Sequence, residues 1–416
     1  MSSSARKSVA HNTLMLYLLK GSVFLFSFIT IPYLTRVLGP ETYGLIGFAT
    51  ACSAYVQIVL DFGFILSGTE QVLHCNGNVD EISEVMSSVM GARMILAIVT
   101  AFACLPIFYL VDQFKVDPLL FWLYYLYALA NALLPDFVYR GLEHMSMITL
   151  MTVIVRAIFL VLILVFVSSP GQYRLVPLFY LLGSCVAMVV AYSQLSSRYG
   201  IRLQATTMAS SLDSLRRSAY YFLSRVASSF YSSLNTIVIG FIAPGSATLG
   251  HFSAASNVIN AGKNMSSPIA DSFFPYMLRT KNYKLLVKVV LVGELFVAIP
   301  CVVFGILAPE ICLQFFGNGY AESGRYIRIL LPLIPIALAS YMFGFPALSP
   351  LGLSKTANSS VILGAVLQVA MLLGLHLTGC LDAVTICIST VVTESVVLMV
   401  RIIAFARGVR SVNQNA

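Results

Sequence analysis

Residues 148–168 read ITLMTVIVRAIFLVLILVFVS, a run of 21 residues with a single charge, Arg156. At 1.5 Å per residue a helix of that length crosses the roughly 30 Å of hydrocarbon in a bilayer. Working outward, similar apolar runs lie near 13–37, 43–66, 85–110, 118–139, 176–196, 218–242, 248–270, 286–308, 326–348, 358–377 and 383–405. With 58% apolar and only 10% charged residues, the chain has too little polar surface for a soluble globule. Helices are required, because a lipid-exposed backbone must satisfy itself, and the runs are too long and unalternating for barrel strands. The expected fold is an all-α integral membrane protein of about twelve transmembrane helices.

Lysines and arginines in the connections set the expected orientation. One side collects Arg6, Lys7, Arg198, Arg202, Arg216, Arg217, Arg279, Lys281, Lys284, Lys288, Lys355, Arg407 and Arg410. The other holds little beyond Arg36, Lys115, Arg174 and Arg325, so both termini are expected to be cytoplasmic. The net charge of +8 is read as a topology signal with some attraction to lipid headgroups, and not as nucleic-acid binding. Arg6 and Lys7 before an apolar run resemble a secretory signal, but the run is too long and lacks a small-residue cleavage site. The eight cysteines are scattered with no CxxC pair, which suits a structural role.

The most basic connection, 197–217, divides the chain into two expected six-helix lobes, 1–205 and 206–416. An odd echo accompanies the division: GPETYGLIGFA at 39–49 and GSATLGHFSAA at 245–255 share glycines and small residues at one offset. Connections of about 20 residues cannot fold into a domain with its own core, so no soluble catalytic module is expected. Gly262-Lys263 lacks a phosphate-binding loop around it, and the histidines have no metal-ligand spacing, so neither cofactor nor metal is expected.

Five cations, Lys20, Arg93, Arg156, Arg225 and Lys263, lie inside the expected spans. A cation in hydrocarbon costs at least about 2.5–3.5 kcal/mol, so it normally faces a cavity or a partner. Each sits about seven or eight residues from its expected cytoplasmic helix end, a shared depth of roughly 11 Å. Tyr221, Arg225, Ser228, Ser232 and Asn235 recur on one helical face, as do Ser253, Ser256, Asn260, Lys263 and Ser267. Thr50, Ser53, Gln57 and Asp61 form a shorter stripe. Interhelical hydrogen bonding would explain such stripes, and a polar cavity would explain them better where they carry a cation. Arg93 and Arg156 have thin polar surroundings, and snorkelling to the interface competes for them. Asp61, Asp271, Glu294 and Glu394 are the intramembrane acids, able to neutralise a cation or to bind a coupling ion. Pro32, Pro135, Pro300, Pro332, Pro335 and Pro346 mark expected bends or unwound turns.

Asn12, Pro32-Tyr33-Leu34-Thr35-Arg36-Val37-Leu38-Gly39, Tyr43-Gly44 and Asp61-Phe62-Gly63-Phe64 resemble the N-terminal pattern of bacterial polysaccharide-unit flippases of the Wzx type, in the multidrug/oligosaccharidyl-lipid/polysaccharide exporter superfamily. Gly141-Leu142-Glu143, the Gly250 to Ala255 block, Phe274-Pro275-Tyr276-Met277 and Phe316-Gly317 extend the resemblance. Phe137, Arg140 and Glu70 depart from it. The resemblance implies two lobes around a central cavity and translocation of an undecaprenyl-diphosphate-linked oligosaccharide from the inner to the outer leaflet of the bacterial inner membrane. It also implies membrane lipids as surroundings, and a polysaccharide polymerase and chain-length regulator as partners. A cation-coupled multidrug exporter and a membrane-embedded polymerase or glycosyltransferase are the competing readings. For a diphosphate cargo the expected contacts are Arg225 and Lys263, assisted by Lys20, Arg93 and Arg156, with Asn235 and Asn260 among the polar groups toward sugar.

Overall fold

The computed structural model describes residues 3–229 and 233–414, without the side chains of 3–17, 19, 20, 220, 223–229, 275 and 412–414. It is 86% helical, and no strand occurs among the described residues. The chain forms two compact units, one of residues 1–38 and 46–229, the other of 39–45 and 230–416.

The first unit is built from α1 (Ser3–Asp61) apart from its Gly39–Leu45 segment, α2 (Phe64–His74), α3 (Val79–Leu110), α4 (Asp112–Lys115), α5 (Pro118–Ala132), α6 (Asp136–Gly141), α7 (Met145–Phe166), α8 (Leu175–Tyr199) and α9 (Met208–Ser229). The second contains α10 (Leu234–Ile242), α11 (Ala247–Thr280), α12 (Tyr283–Ile306), α13 (Ala308–Phe316), α14 (Ser323–Leu330), α15 (Leu333–Met342), α16 (Phe345–Leu348), α17 (Ser354–Leu377) and α18 (Ala383–Gln414).

The two expected spans 13–37 and 43–66 are the arms of α1, which is broken at Gly39 (φ 73, ψ 169). A side chain disfavours that backbone, and Pro40 restarts the helix without needing an amide donor. The second arm ends where Phe62 (φ 37) and Gly63 (φ 78) leave helical geometry. A Cβ at position 63 would sit 2.7 Å from Cβ of Tyr221, so Gly63 lets α9 close on the turn. Phe62 stacks on Phe222 at 4.3 Å. The Asp61-Phe62-Gly63-Phe64 motif is thus a helix stop and a docking point.

Serines fix α9 to the first unit. Ser67 and Ser218 share a 2.6 Å hydrogen bond, and Ser214 donates to Ser88 at 3.0 Å. The connection before α9 runs along α3, where Ser83 and Ser87 accept from the Arg202 and Gln204 amides. The compact units therefore divide at Ser229, one helix later than the 205/206 boundary counted from spans.

Nine helices among the described residues are long and apolar enough to cross a membrane. The first two expected spans merge in one of them, Gly21–His74. The span expected at 218–242 includes 230–232, which lie outside the described residues, and α11, which covers 248–270, is long enough at 34 residues but polar. Pro135, Pro332 and Pro346 stand at helix boundaries, while Pro300 lies within α12 and Pro32 within α1.

Candidate functional site

The polar α11 is the natural place to begin. Lys263 projects from it to Glu394 of α18, with Nζ 3.2 Å from Oε1 and side-chain exposures of 19% and 11%. At an effective dielectric of about 20, attraction at this distance is about 5 kcal/mol before desolvation. Lys263 is thus charge-balanced within the second unit. Tyr341 of α15 lies within electrostatic reach of Lys263, Glu394, Arg401 and Asp271. Asn260, one turn from Lys263, is exposed, as is Asp271 two turns beyond.

Glu394 belongs to a polar seam on α18. Toward one end, Gln368 of α17 donates to Asn235 Oδ1 at 2.9 Å and to Ser389 at 3.1 Å, Asn235 donates to Thr390 at 2.8 Å, and Thr393 donates to Gln368 at 2.8 Å. Asn235 is 8% exposed, and its amide is spent joining α10 to α17 and α18. That is interhelical bonding, the plainer reading of its stripe. Toward the other end, Arg401 is buried and donates to Ser360 Oγ at 2.8 Å and to the Ser340 carbonyl and hydroxyl at 2.7 and 2.8 Å.

Arg93 has a different setting. It is 1% exposed in the first unit, donates to the Leu134 carbonyl at 3.1 Å, and lies 3.8 Å from Asp61 Oδ1. The rings of Phe64 and Phe137 cover its guanidinium at 5.7 and 5.5 Å. Gln57 donates to Asp61 at 3.3 Å, and Asp136 is in electrostatic reach of Arg140, Arg93 and Asp61. Arg93 is thus enclosed against a partner acid, the neutralising role open to Asp61, and not at a snorkelled interface. Its partner is 32 positions away in sequence, which helical spacing on α3 could not reveal.

Arg156 is half-buried on α7 with Tyr127 in electrostatic reach. Glu294 is half-buried on α12 and faces the Ala339 backbone of α15. The side chains of Lys20, Arg225 and Ser228, and the whole of Ser232, lie outside the described residues. Of the expected set, the structure thus joins Lys263 to Glu394 and Arg93 to Asp61, in separate units.

Arg36, Lys288, Arg328 and Arg401 also lie within the bounds of expected spans, beside those five. Arg401 carries a legible signal, since Ser389, Thr390, Thr393 and Glu394 precede it on the same helix. Arg328 caps α12 by donating to the Gly305 and Ile306 carbonyls at 2.8 and 3.0 Å, where a cation also meets the negative end of the helix dipole. Gln368, the hub of the seam, gave no periodic signal. Among the described residues no three His, Cys, Asp or Glu side chains gather as a metal site.

Long apolar helices in two compact units, with an ion pair inside each, define a multi-pass membrane protein. An inward-facing multidrug resistance MATE family transporter of the MOP superfamily is similar at TM-score 0.71 and 14% identity, covering 97% of this chain and 95% of that one. The Lipid II flippase MurJ, in an inward closed conformation, is similar at TM-score 0.70 and 11% identity, over 95% and 89% of the two chains. A family model described as "Polysaccharide biosynthesis protein" matches residues 9–281, and the chain belongs to that family. A protein of Escherichia coli (strain K12) named "Putative O-antigen transporter" is 23% identical over 94% of this chain and 95% of its own length. A protein of the same name from Shigella dysenteriae is 25% identical over 86% and 90%. These relatives are transporters and flippases by name, not enzymes.

Proposed function

We propose that the chain is a flippase for undecaprenyl-diphosphate-linked oligosaccharide, the O-antigen repeat unit, moving it from the cytoplasmic to the periplasmic leaflet of the bacterial inner membrane. Twelve spans in two lobes would alternate access, with both termini cytoplasmic. The observation that carries this reading is Lys263, a largely buried cation on a long helix too polar to rank as a span, paired with Glu394. Family membership and relatives named as O-antigen transporters supply the cargo class.

Neither a diphosphate nor a hydrated oligosaccharide crosses hydrocarbon uncompensated. In this proposal Lys263 and Arg225 take the diphosphate, Lys20 and Arg156 assist, and Asn260 contacts sugar. Arg93 and Asn235 hold their units in shape. A polysaccharide polymerase and a chain-length regulator would receive the product. The test is complementation of a flippase-deletion strain, read as surface O-antigen. Wild-type protein should restore it, while Lys263→Ala and Arg225→Ala at equal membrane abundance should not. Full restoration by both variants would sink the assignment. Drug resistance on overexpression, with O-antigen unaffected by deletion, would instead favour a cation-coupled multidrug exporter, the reading that shares this fold.

A further inference from the structure

At one end of the second unit the α11–α12 turn, the α16–α17 connection and the end of α18 share a single apolar cluster containing Met277, Leu286, Tyr283, Leu351, Leu353 and Phe405. Tyr283 packs edge-on to Phe405 at 5.8 Å, and a Cβ on Gly408 would meet Leu351 at 2.9 Å, so these segments form one continuous end face. Arg279, Lys281, Lys284 and Lys288 are exposed on the first of them, Lys355 on the second, and Arg407 and Arg410 on the third. None of the three carries an acid: 272–293, 343–381 and 395–416 contain no Asp or Glu. Tyr276 and Leu278 are exposed at the same end.

The first unit is built differently. Where Arg198, Arg202, Arg216 and Arg217 are exposed, Asp80, Glu81, Glu84 and Asp213 are exposed among them, and Arg217 pairs with Asp213 at 2.7 Å. A bias in lysine and arginine sets topology without regard to acids, so topology alone does not call for clearing acids from one unit and keeping them in the other. An acid-free cationic rim at the ends of membrane helices, with an aromatic and an aliphatic side chain beside it, is suited to lipid phosphates at the bilayer surface.

We propose that this end face of the second unit is a binding surface for anionic phospholipid headgroups, with Lys281, Lys284 and Lys288 as principal contacts. The full-length protein would be placed in nanodiscs of phosphatidylethanolamine with added cardiolipin at low ionic strength, and retained cardiolipin counted by native mass spectrometry. Each lysine near a charged surface contributes roughly fivefold in affinity, so Lys281→Gln/Lys284→Gln/Lys288→Gln should weaken retention by roughly a hundredfold. Raised salt should weaken retention by the wild type too. The matched variant Arg198→Gln/Arg216→Gln/Arg217→Gln should retain cardiolipin as the wild type does. Triple Lys→Arg substitution at 281, 284 and 288 should also retain it, and loss there would overturn the proposal by tracing the effect to packing. Unchanged retention in the Lys→Gln variant, or equal loss in the Arg198 set, would overturn it as well. So would displacement of cardiolipin by purified lipid-linked diphosphate saccharide, which would assign the face to cargo instead.

Discussion

Each unit encloses an ion pair, and the two pairs are made differently. Arg93 and Asp61 are sealed at 1% and 8% side-chain exposure beneath two phenylalanine rings, whereas Lys263 and Glu394 retain 19% and 11%. The sealed pair is also the looser one, at 3.8 Å against 3.2 Å, with a second guanidinium nitrogen of Arg93 bonded to the Leu134 carbonyl. A cation inside a membrane protein is therefore not by its presence a binding residue. Its role follows from how much of its hydrogen bonding the fold consumes and whether a ligand could reach it.

The contrast can be broken by substitution, most forcefully at Arg93. Arg93→Ala leaves Asp61 buried and uncompensated, and should destabilise the protein by about 3–5 kcal/mol. Fluorescence-detected size exclusion after heating would register this as a large fall in melting temperature, and adding Asp61→Asn should recover part of it. Gly250→Ala comes next. Gly44 and Gly250 lie so close that a Cβ on Gly44 would stand 2.6 Å from the Gly250 amide, and one on Gly250 would collide with the Pro40 carbonyl oxygen. Overpacking of this kind costs about 1–3 kcal/mol, to be measured in the same melt. Asn235→Ala, which opens the Gln368 network, should cost about 0.6–1.7 kcal/mol.

Lys263 should reverse that order. Lys263→Ala strips the buried Glu394 of its partner and should lower the melting temperature, but Lys263→Ala combined with Glu394→Gln should melt near the wild type and still reduce O-antigen export at least about tenfold, as expected for losing one charge contact to phosphate. A melt as damaged as that of Arg93→Ala would erase the contrast. The smallest effect is expected at Asp382, which lies just before α18. Its carboxyl is held below the usual range, first by the Thr385 amide, whose hydrogen bond to Oδ1 is 2.7 Å. A depressed folded value means this cap contributes above the unfolded carboxylate pKa and is lost as pH falls through the folded one. Asp382→Ala should cost about 1 kcal/mol at neutral pH and nothing below that transition, visible in melts run from neutral to acidic buffer.

Much of the fold was legible because apolar length is a local property. All but the last two residues of the run at 148–168 fall within α7, which is long and apolar enough to cross a membrane. The legible part of the site was periodic: the Lys263 stripe on α11 is a real feature of one helix. What the sequence withheld was partnership across helices. Asp61 and Glu394 were visible as acids, but which cation each balances depends on packing between elements far apart in the chain. Gln368 and Ser340 were invisible for the same reason, as single polar groups on apolar helices whose importance lies wholly in what faces them.

The echoing stretches 39–49 and 245–255 do more than repeat. Gly44 and Gly250, at matching places in them, rest backbone against backbone. With no side chain between them the joint has no cushion. A side chain at either position would push the Gly39–Leu45 segment off the start of α11, the helix that carries Lys263 thirteen residues farther on.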